Sequence, residues 1–167
     1  MSTKVIKVRG RSAFRCMSPF GFHVLANKFM EAAKLCQTTG DSSPVPYFLC
    51  CRSIELSLKA FLLAKNVSIN RLKGRKGVGH DLERALEEAE LQGLLNIVEI
   101  PCHYKEELRK ANYYYAKKQG FEYCDGYEVM TGRAKLPSLK VLSEFATTLV
   151  DKLDWVCSES IRKLAEK

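Results

Sequence analysis

Apolar residues recur along most of this chain at intervals of three and four positions, the spacing of helices with one buried side. The pattern predicts helices over residues 18–40, 47–66, 79–93, 103–120 and 136–167. Ser18 and Pro19 suit the start of the first helix, and Asp81 suits the N-cap of the third. Pro44 and Pro46 separate the first two helices. We therefore predict an all-α protein, an up-and-down bundle of four or five helices.

Two segments do not follow the helical pattern. Residues 1–15 are rich in Lys and Arg and predict a basic N-terminal arm. Glycine and aromatic residues near 120–136 predict an irregular insert or a short hairpin. The rest of the chain is long enough to form one hydrophobic core, so we predict a single bundle domain over residues 16–167.

The helix predicted over residues 47–66 is the most apolar of the five, and three charged residues interrupt it. Arg52, Glu55 and Lys59 are three and four positions apart, so they share one stripe of the helix. Burying them without complete pairing would be costly. Two interpretations remain open: a structural ladder of ion pairs, or a groove facing residues 73–80 in which Glu55 orients the two cations toward a phosphate.

The net charge of +8 is concentrated in two parts of the chain. Residues 1–30 and residues 56–80 each contain six Lys or Arg and no Asp or Glu. Localised positive charge of this kind suits a polyanionic partner such as RNA or a nucleotide phosphate. A solvated basic surface that aids solubility is the alternative.

The seven cysteines are scattered and include no C-x-x-C pair, so we predict reduced thiols and neither a metal site nor a cofactor. No apolar run reaches the about 18 residues that a membrane helix needs. The first residues contain charge but no apolar segment of the kind that secretory signals have. We therefore expect a cytoplasmic protein without a membrane partner.

Two motifs together resemble a known family. Residues 52–60 read R-S-I-E-L-S-L-K-A, and residues 79–82 read G-H-D-L. They resemble the I-E-x-x-L-K-A helix and the G-H-D-L turn of small bacterial proteins in the HEPN superfamily. Residues 111–115 and 121–123 are similar to the Leu-Asn-x-x-Tyr and Arg-Tyr segments of the same proteins, with Ala in place of Leu and Glu in place of Arg. The resemblance covers roughly residues 18–155.

The resemblance implies a helical bundle that forms homodimers and acts on RNA. Many HEPN proteins are metal-independent ribonucleases of toxin–antitoxin, phage-defence or stress systems, and a nucleotidyltransferase-type protein is the cognate partner that we expect here. Their usual signature is an Arg followed, after four to six residues, by a His. Other members lack the signature and only bind their partners.

Arg75 and His80 have the spacing of that signature, with four residues between them. In such a pair the His exchanges a proton near neutral pH and the Arg binds the phosphate. In the ribonucleases, however, the motif tends to lie at a late helix, whereas here it lies in a glycine-rich loop. A catalytic pair and a structural role for His80 at the start of the next helix therefore both remain open. His23 and His103 have no such partner pattern and are interpreted as structural or surface residues.

The loop L-K-G-R-K-G-V-G-H-D combines glycines with basic residues and ends at a helix N-terminus, which suits the binding of an anion. The tyrosines of residues 113–115 lie among basic residues and suit stacking on a base or packing inside the protein. The predicted residues for binding RNA or a nucleotide are Arg52, Glu55, Lys59, Lys73, Lys76, Arg109, Asn112 and Tyr115. Two functions stay open: an RNA-binding protein with metal-independent ribonuclease chemistry, and a non-enzymatic dimeric interaction module.

Overall fold

The computed structural model describes residues 17–37, 43–74, 77–116, 121 and 136–165. These residues form six α-helices and contain no strand, which confirms the all-α prediction. The helices are α1 Pro19–Gln37, α2 Val45–Ala64, α3 Ile69–Leu72, α4 Leu82–Leu91, α5 Cys102–Tyr115 and α6 Leu139–Ala165. A 3₁₀ turn, Leu94–Asn96, connects α4 and α5.

Ser18, Asp81 and Gly93 bound the helices as predicted, whereas Pro46, predicted to lie in the link before the second helix, is the second residue of α2. The first turn of a helix accepts proline because its amides have no partner within the helix. The Ser18 hydroxyl accepts a hydrogen bond from the amide of Gly21 at 3.0 Å, and Pro19 is the first residue of α1. The Asp81 carboxylate accepts from the amide of Arg84 at 3.0 Å and caps α4. Gly93 follows α4 with a φ of +85°, a conformation that glycine adopts without strain.

Helix α2 is the centre of the bundle and packs on α1, α4, α5 and α6. Its buried positions lie all around the helix rather than on one face. The Ser53 hydroxyl donates to the Ala26 carbonyl at 2.8 Å and joins α2 to α1. Phe61 of α2 and Phe145 of α6 are among the largest fully buried side chains. The prediction that this helix is the most buried one is confirmed for the part of the chain that the structure describes.

The loop between α3 and α4 is fixed by close backbone packing. A Cβ atom at Gly77 would lie 2.1 Å from the carbonyl oxygen of Arg71, so this position has room only for glycine. The next amide, of Val78, donates to the same carbonyl at 3.0 Å. Gly79 has a φ of +57°, and its carbonyl accepts a hydrogen bond of 2.5 Å from Lys59 of α2. These contacts hold the following residue, His80, beside α2.

Several predictions lie outside the described residues. They are the basic arm over residues 1–15, most of the insert near 120–136, and the loop positions Arg75 and Lys76. The one-turn helix α3 was not predicted, because four residues are too few to show a helical period.

We expect Gly77→Ala to lower the free energy of unfolding more than Gly74→Ala does. The new Cβ at position 77 meets backbone, which can move away only by breaking the bond between Val78 and Arg71. Gly74 also has a positive φ, +76°, but open space surrounds it. Alanine at position 74 should therefore lower the free energy of unfolding only by the strain of a left-handed backbone conformation, about 1–2 kcal/mol. Chemical denaturation of both variants measures the difference, and equal losses would contradict the packing role of Gly77.

Candidate functional site

Four polar side chains surround the carboxylate of Glu55, and together with it they form what we call the Glu55 cluster: Arg52, Glu55, Lys59, His80 and Tyr115. The Glu55 side chain is 1% exposed. Arg52 Nη1 donates to its Oε2 at 2.9 Å, and Lys59 Nζ donates to its Oε1 at 2.5 Å. The spacing of these residues along α2 therefore brings both cations onto one carboxylate, as the sequence predicted.

Two further groups reach the same carboxylate from other parts of the chain. The Tyr115 hydroxyl, at the end of α5, donates to Glu55 Oε2. His80 Nδ1, from the loop before α4, lies 3.2 Å from both carboxylate oxygens. Glu55 thus joins α2, the loop and α5 through four donors. Spacing rules do not reveal these two contacts, because His80 and Tyr115 are 25 and 60 residues away from Glu55 in sequence.

The surroundings of Glu55 keep it ionised. Burial alone would raise the pKa of Glu55, but the charges of Lys59 and Arg52 and the hydrogen bonds from Lys59 and Tyr115 lower it below its ordinary value. Burial and the charge of Glu55 raise the pKa of Tyr115 well above its ordinary value, so its hydroxyl keeps its proton. Burial alone would lower the pKa of Arg52, but Glu55 and Tyr115 raise it. The carboxylate is therefore an acceptor among protonated donors.

This ionisation state fixes the tautomer of His80. An ionised carboxylate can only accept hydrogen bonds, so His80 Nδ1 donates to it and Nε2 has the lone pair of the neutral ring. The His80 side chain is 68% exposed, and the ring of Tyr115 stands edge-on to it at 6.4 Å between centroids. His80 is thus an accessible imidazole held by a buried carboxylate, an arrangement suited to proton transfer at Nε2.

Arg52 is the cation of the cluster that reaches the surface, since its side chain is 30% exposed. The edge of the site therefore presents a guanidinium and an imidazole that share one carboxylate. Lys73, in the loop that precedes His80, is exposed. These three residues are predicted binding or catalytic residues, and all three are accessible in the structure.

Lys59 is buried, and its ammonium donates both to Glu55 and to the carbonyl of Gly79. It faces residues 73–80, as predicted, but its hydrogen bonds are made inside the protein. These hydrogen bonds give Lys59 a structural role, and its role in substrate binding stays a prediction. The Tyr115 hydroxyl has the same kind of role, because it donates to the buried carboxylate.

Asn112 caps α4 from the neighbouring helix. Its Oδ1 accepts from the amide of Leu82 at 2.8 Å, and its Nδ2 donates to Asp81 and to Glu83 at 3.0 Å each. These bonds use the Asn112 amide in packing α5 on α4, and its role in substrate binding stays a prediction. Arg109 belongs to the same group, since its Nε is 3.2 Å from Glu83 Oε1 at the surface.

Backbone amides near the loop also donate their hydrogen bonds to other groups of the protein. The amides of Gly77, Val78 and Asp81 donate to carbonyls of the same loop region, and the first amides of α4 donate to Asn112 and Asp81. The predicted anion site at this helix N-terminus therefore has no support in these amides. Arg75 and Lys76 lie outside the described residues, so the pairing of Arg75 with His80 stays a prediction.

The other candidate residues have structural surroundings. His23 is buried, with Nε2 3.1 Å from Asp154 Oδ1, and His103 is exposed beside the ring of Tyr104. Burial raises the pKa of Cys50 and of Cys157 to about 12, so both stay protonated thiols. Over the described ranges, no three His, Cys, Asp or Glu side chains are grouped so that they could hold a metal ion.

Comparison with models of protein families, with curated proteins and with solved structures finds no match to this chain. No helix in the described part of the chain is long and apolar enough to cross a membrane.

We expect Glu55→Gln to lower the free energy of unfolding at neutral pH by about 3–5 kcal/mol, because it leaves the buried Lys59 without its counter-ion. The folded-state pKa of Glu55 is lowered from 4.5, so its stabilisation is present above that pH and is lost as the pH falls through the folded value. The difference between wild type and variant should therefore shrink in acid.

Denaturation of both proteins over a series of pH values measures this difference. Glu106→Gln, at an exposed position of α5, is the matched control and should change stability little. A Glu55→Gln variant as stable as the wild type at neutral pH would contradict a charged, fully paired Glu55.

Proposed function

We propose that this protein is a HEPN-like RNA-binding protein that also cleaves RNA, at the edge where Arg52 and His80 share Glu55, with Lys73 in the loop before His80 as a further cation. The observation that carries the proposal is the exposed His80 ring, which is held through Nδ1 by the buried and ionised Glu55. Paired cations alone would support binding. An imidazole oriented by a carboxylate beside an arginine also supports proton transfer next to a phosphate.

In the proposed reaction, His80 Nε2 accepts the proton of a ribose 2′-hydroxyl. The 2′-oxygen then bonds to the adjacent phosphorus, and the bond from phosphorus to the 5′-oxygen breaks. The 5′-oxygen takes a proton from water, the hydroxide that remains takes the proton from His80 Nε2, and the products are a 2′,3′-cyclic phosphate and a 5′-hydroxyl. Arg52 supplies a guanidinium for the charge on the phosphate oxygens.

Glu55 acts as the positioning residue of this scheme. Its carboxylate holds the proton of His80 on Nδ1 and stabilises the imidazolium that forms when Nε2 accepts a second proton. The cost of keeping Glu55 charged in the interior is offset by Lys59, Arg52 and Tyr115. The role of Arg75 as a second phosphate ligand belongs to the same proposal.

The resemblance to HEPN proteins extends the proposal to a biological setting. On this resemblance we propose a cytoplasmic protein of a prokaryote, in a defence, toxin–antitoxin or stress system with a nucleotidyltransferase-type partner. The two motifs that carry this resemblance, residues 52–60 and residues 79–82, are the segments that meet at the Glu55 cluster.

A non-enzymatic interaction module is the second candidate function. It is favoured by the internal use of Lys59, Asn112 and Tyr115, three residues that the sequence assigned to substrate binding. In that case the Glu55 cluster only holds the helices together, and His80 is one of its hydrogen-bond donors without a catalytic role.

We expect wild type to cleave single-stranded RNA in the presence of a chelator, and His80→Ala to lose about 10²–10⁴-fold in cleavage rate while it still binds RNA. His103→Ala removes another exposed histidine and should keep the activity. Product analysis should find the cyclic phosphate. If wild type does not cleave RNA, the non-enzymatic interaction module is the remaining candidate function. If His80→Ala still cleaves RNA, His80 has no part in the mechanism.

RNA binding should weaken steeply with salt, because Lys and Arg displace counterions from phosphates. Lys73→Ala should lower the affinity for RNA and reduce the salt slope by about one. Lys152→Ala, an exposed lysine on α6, should leave both unchanged. Affinity that is the same at low and moderate salt would contradict the phosphate-binding role of the basic residues.

A further inference from the structure

A cleft opens where the last turn of α1 meets the start of α6. Its volume is about 680 Å³, within the range of sites that bind small molecules. Tyr104, in the first turn of α5, lines the cleft, whereas Tyr115 of the Glu55 cluster ends the same helix. The two tyrosines are 11 residues apart, about 16 Å along the helix. The cleft is therefore a separate site, and the proposed RNA function does not use it.

The wall that α6 contributes to the cleft is polar. Its members are spaced by three or four residues and share one face of the helix: Lys140, Ser143, Glu144, Thr147 and Thr148. The opposite face is in the core, where Phe145 and Leu149 are fully buried. A helix face beside a neighbouring helix is usually apolar, because it packs there. A polar face across a cleft from α1 suits a polar ligand instead.

Two lysines at the cleft have no counter-ion. Lys34, from α1, and Lys140, from α6, make neither an ion pair nor a hydrogen bond with any residue that the structure describes. Glu144 follows Lys140 by four residues, a spacing that allows an ion pair, yet the two are not paired. By contrast Lys28, earlier on α1, is paired with Glu31 at 3.0 Å. The cleft thus has two positive charges available for an anion.

Other polar groups of the cleft are hydrogen-bond acceptors. The hydroxyls of Thr147 and Thr148 donate to carbonyls of their own helix at 2.8 Å each, so only the lone pairs of these oxygens remain for a ligand. Gln37 Nε2 donates to the sulfur of the buried Cys50 at 4.0 Å, which leaves its carbonyl oxygen to accept. A ligand that complements these groups donates several hydrogen bonds, as the hydroxyls of a sugar do.

The aromatic ring at the cleft is already in use. The ring of Tyr104 stacks on Phe145 at 4.9 Å between centroids and contacts the ring of His103 at 4.5 Å. Tyr104 is therefore poorly placed to stack on a nucleobase, which is how aromatic side chains usually hold one. The chemistry of the cleft suits a ligand that combines hydroxyl groups with an anion and has no base.

We propose that this cleft binds a small phosphorylated sugar. Its phosphate lies at Lys34 and Lys140, because a phosphate monoester carries a charge of about −1.5 to −2 at neutral pH and two ammonium groups compensate it. Its hydroxyls donate to Thr147 and Thr148. Lys140 and Thr147 are seven residues apart, about 10 Å along α6, a distance that a sugar with a terminal phosphate can bridge. Glu144 lies between them, repels the phosphate and accepts from the sugar.

Isothermal titration calorimetry with glucose 6-phosphate, fructose 6-phosphate and ribose 5-phosphate tests the proposal. At least one of them should bind with a Kd below about 1 mM, and the free sugar and inorganic phosphate should each bind at least about tenfold more weakly. Adenosine 5′-monophosphate should bind no more tightly than ribose 5-phosphate, because its base gains no stacking partner.

Variants locate the binding within the cleft. Lys34→Ala and Lys140→Ala should each raise the Kd of the sugar phosphate about tenfold or more. Lys152→Ala, an exposed lysine farther along α6, is the matched control and should not change it. Thr148→Val removes an acceptor, so it should raise the Kd of the sugar phosphate about three- to tenfold and leave that of inorganic phosphate unchanged. Thermal denaturation should show that the lysine variants are folded, since both side chains are exposed.

Three results would overturn the proposal. The first is that none of the three sugar phosphates binds below about 1 mM, or that both lysine variants bind as wild type does. The second is that inorganic phosphate binds as tightly as the sugar phosphates, which would show an anion site without sugar recognition. The third is that Lys34→Ala and Lys140→Ala lower the affinity for RNA as Lys73→Ala does, which would make the cleft part of an RNA surface.

Discussion

The ionised carboxylate of Glu55 is the constraint on which the arrangement of this bundle depends. A buried charge costs several kcal/mol unless donors surround it. Two donors, Arg52 and Lys59, come from the same helix, while His80 and Tyr115 come from a loop and from α5. The positions of α2, the loop and α5 are therefore coupled, because moving the loop or α5 away removes a hydrogen-bond donor from a buried carboxylate.

The same constraint connects stability to the surface of the protein. Lys59 satisfies Glu55 and also binds the carbonyl of Gly79, the residue directly before His80. One ammonium thus fixes the backbone that presents the histidine, and the carboxylate fixes the orientation of its ring. The two interpretations of the charged stripe on α2 are therefore compatible: Lys59 forms the structural ladder in the interior, and Arg52 ends it at the surface.

Local chemistry allowed the helices to be predicted, and long-range packing limited what could be predicted of the site. The caps at Ser18 and Asp81 depend on residues within three positions, so the sequence shows them directly. Asn112, in contrast, caps α4 from 30 residues away, and Tyr115 reaches Glu55 from 60 residues away. No periodic pattern or fixed spacing in the sequence indicates either contact. An exposed Asn or Tyr among basic residues has the same local pattern as a buried one.

The distribution of ion pairs narrows the surface on which the positive charge can act. Glutamates of α4 compensate three cations from two neighbouring helices, in the pairs Arg71–Glu88, Lys105–Glu90 and Arg109–Glu83. The outer side of α4 and α5 is thus nearly neutral, although the sequence there is rich in Lys and Arg. Of the described cations in residues 56–80, Lys59 and Arg71 are paired with glutamates, whereas Lys65, after α2, and Lys73, in the loop after α3, are exposed. Because that loop ends at His80, the charge of Lys73 that would attract a polyanion and the imidazole that would act on it belong to one short segment.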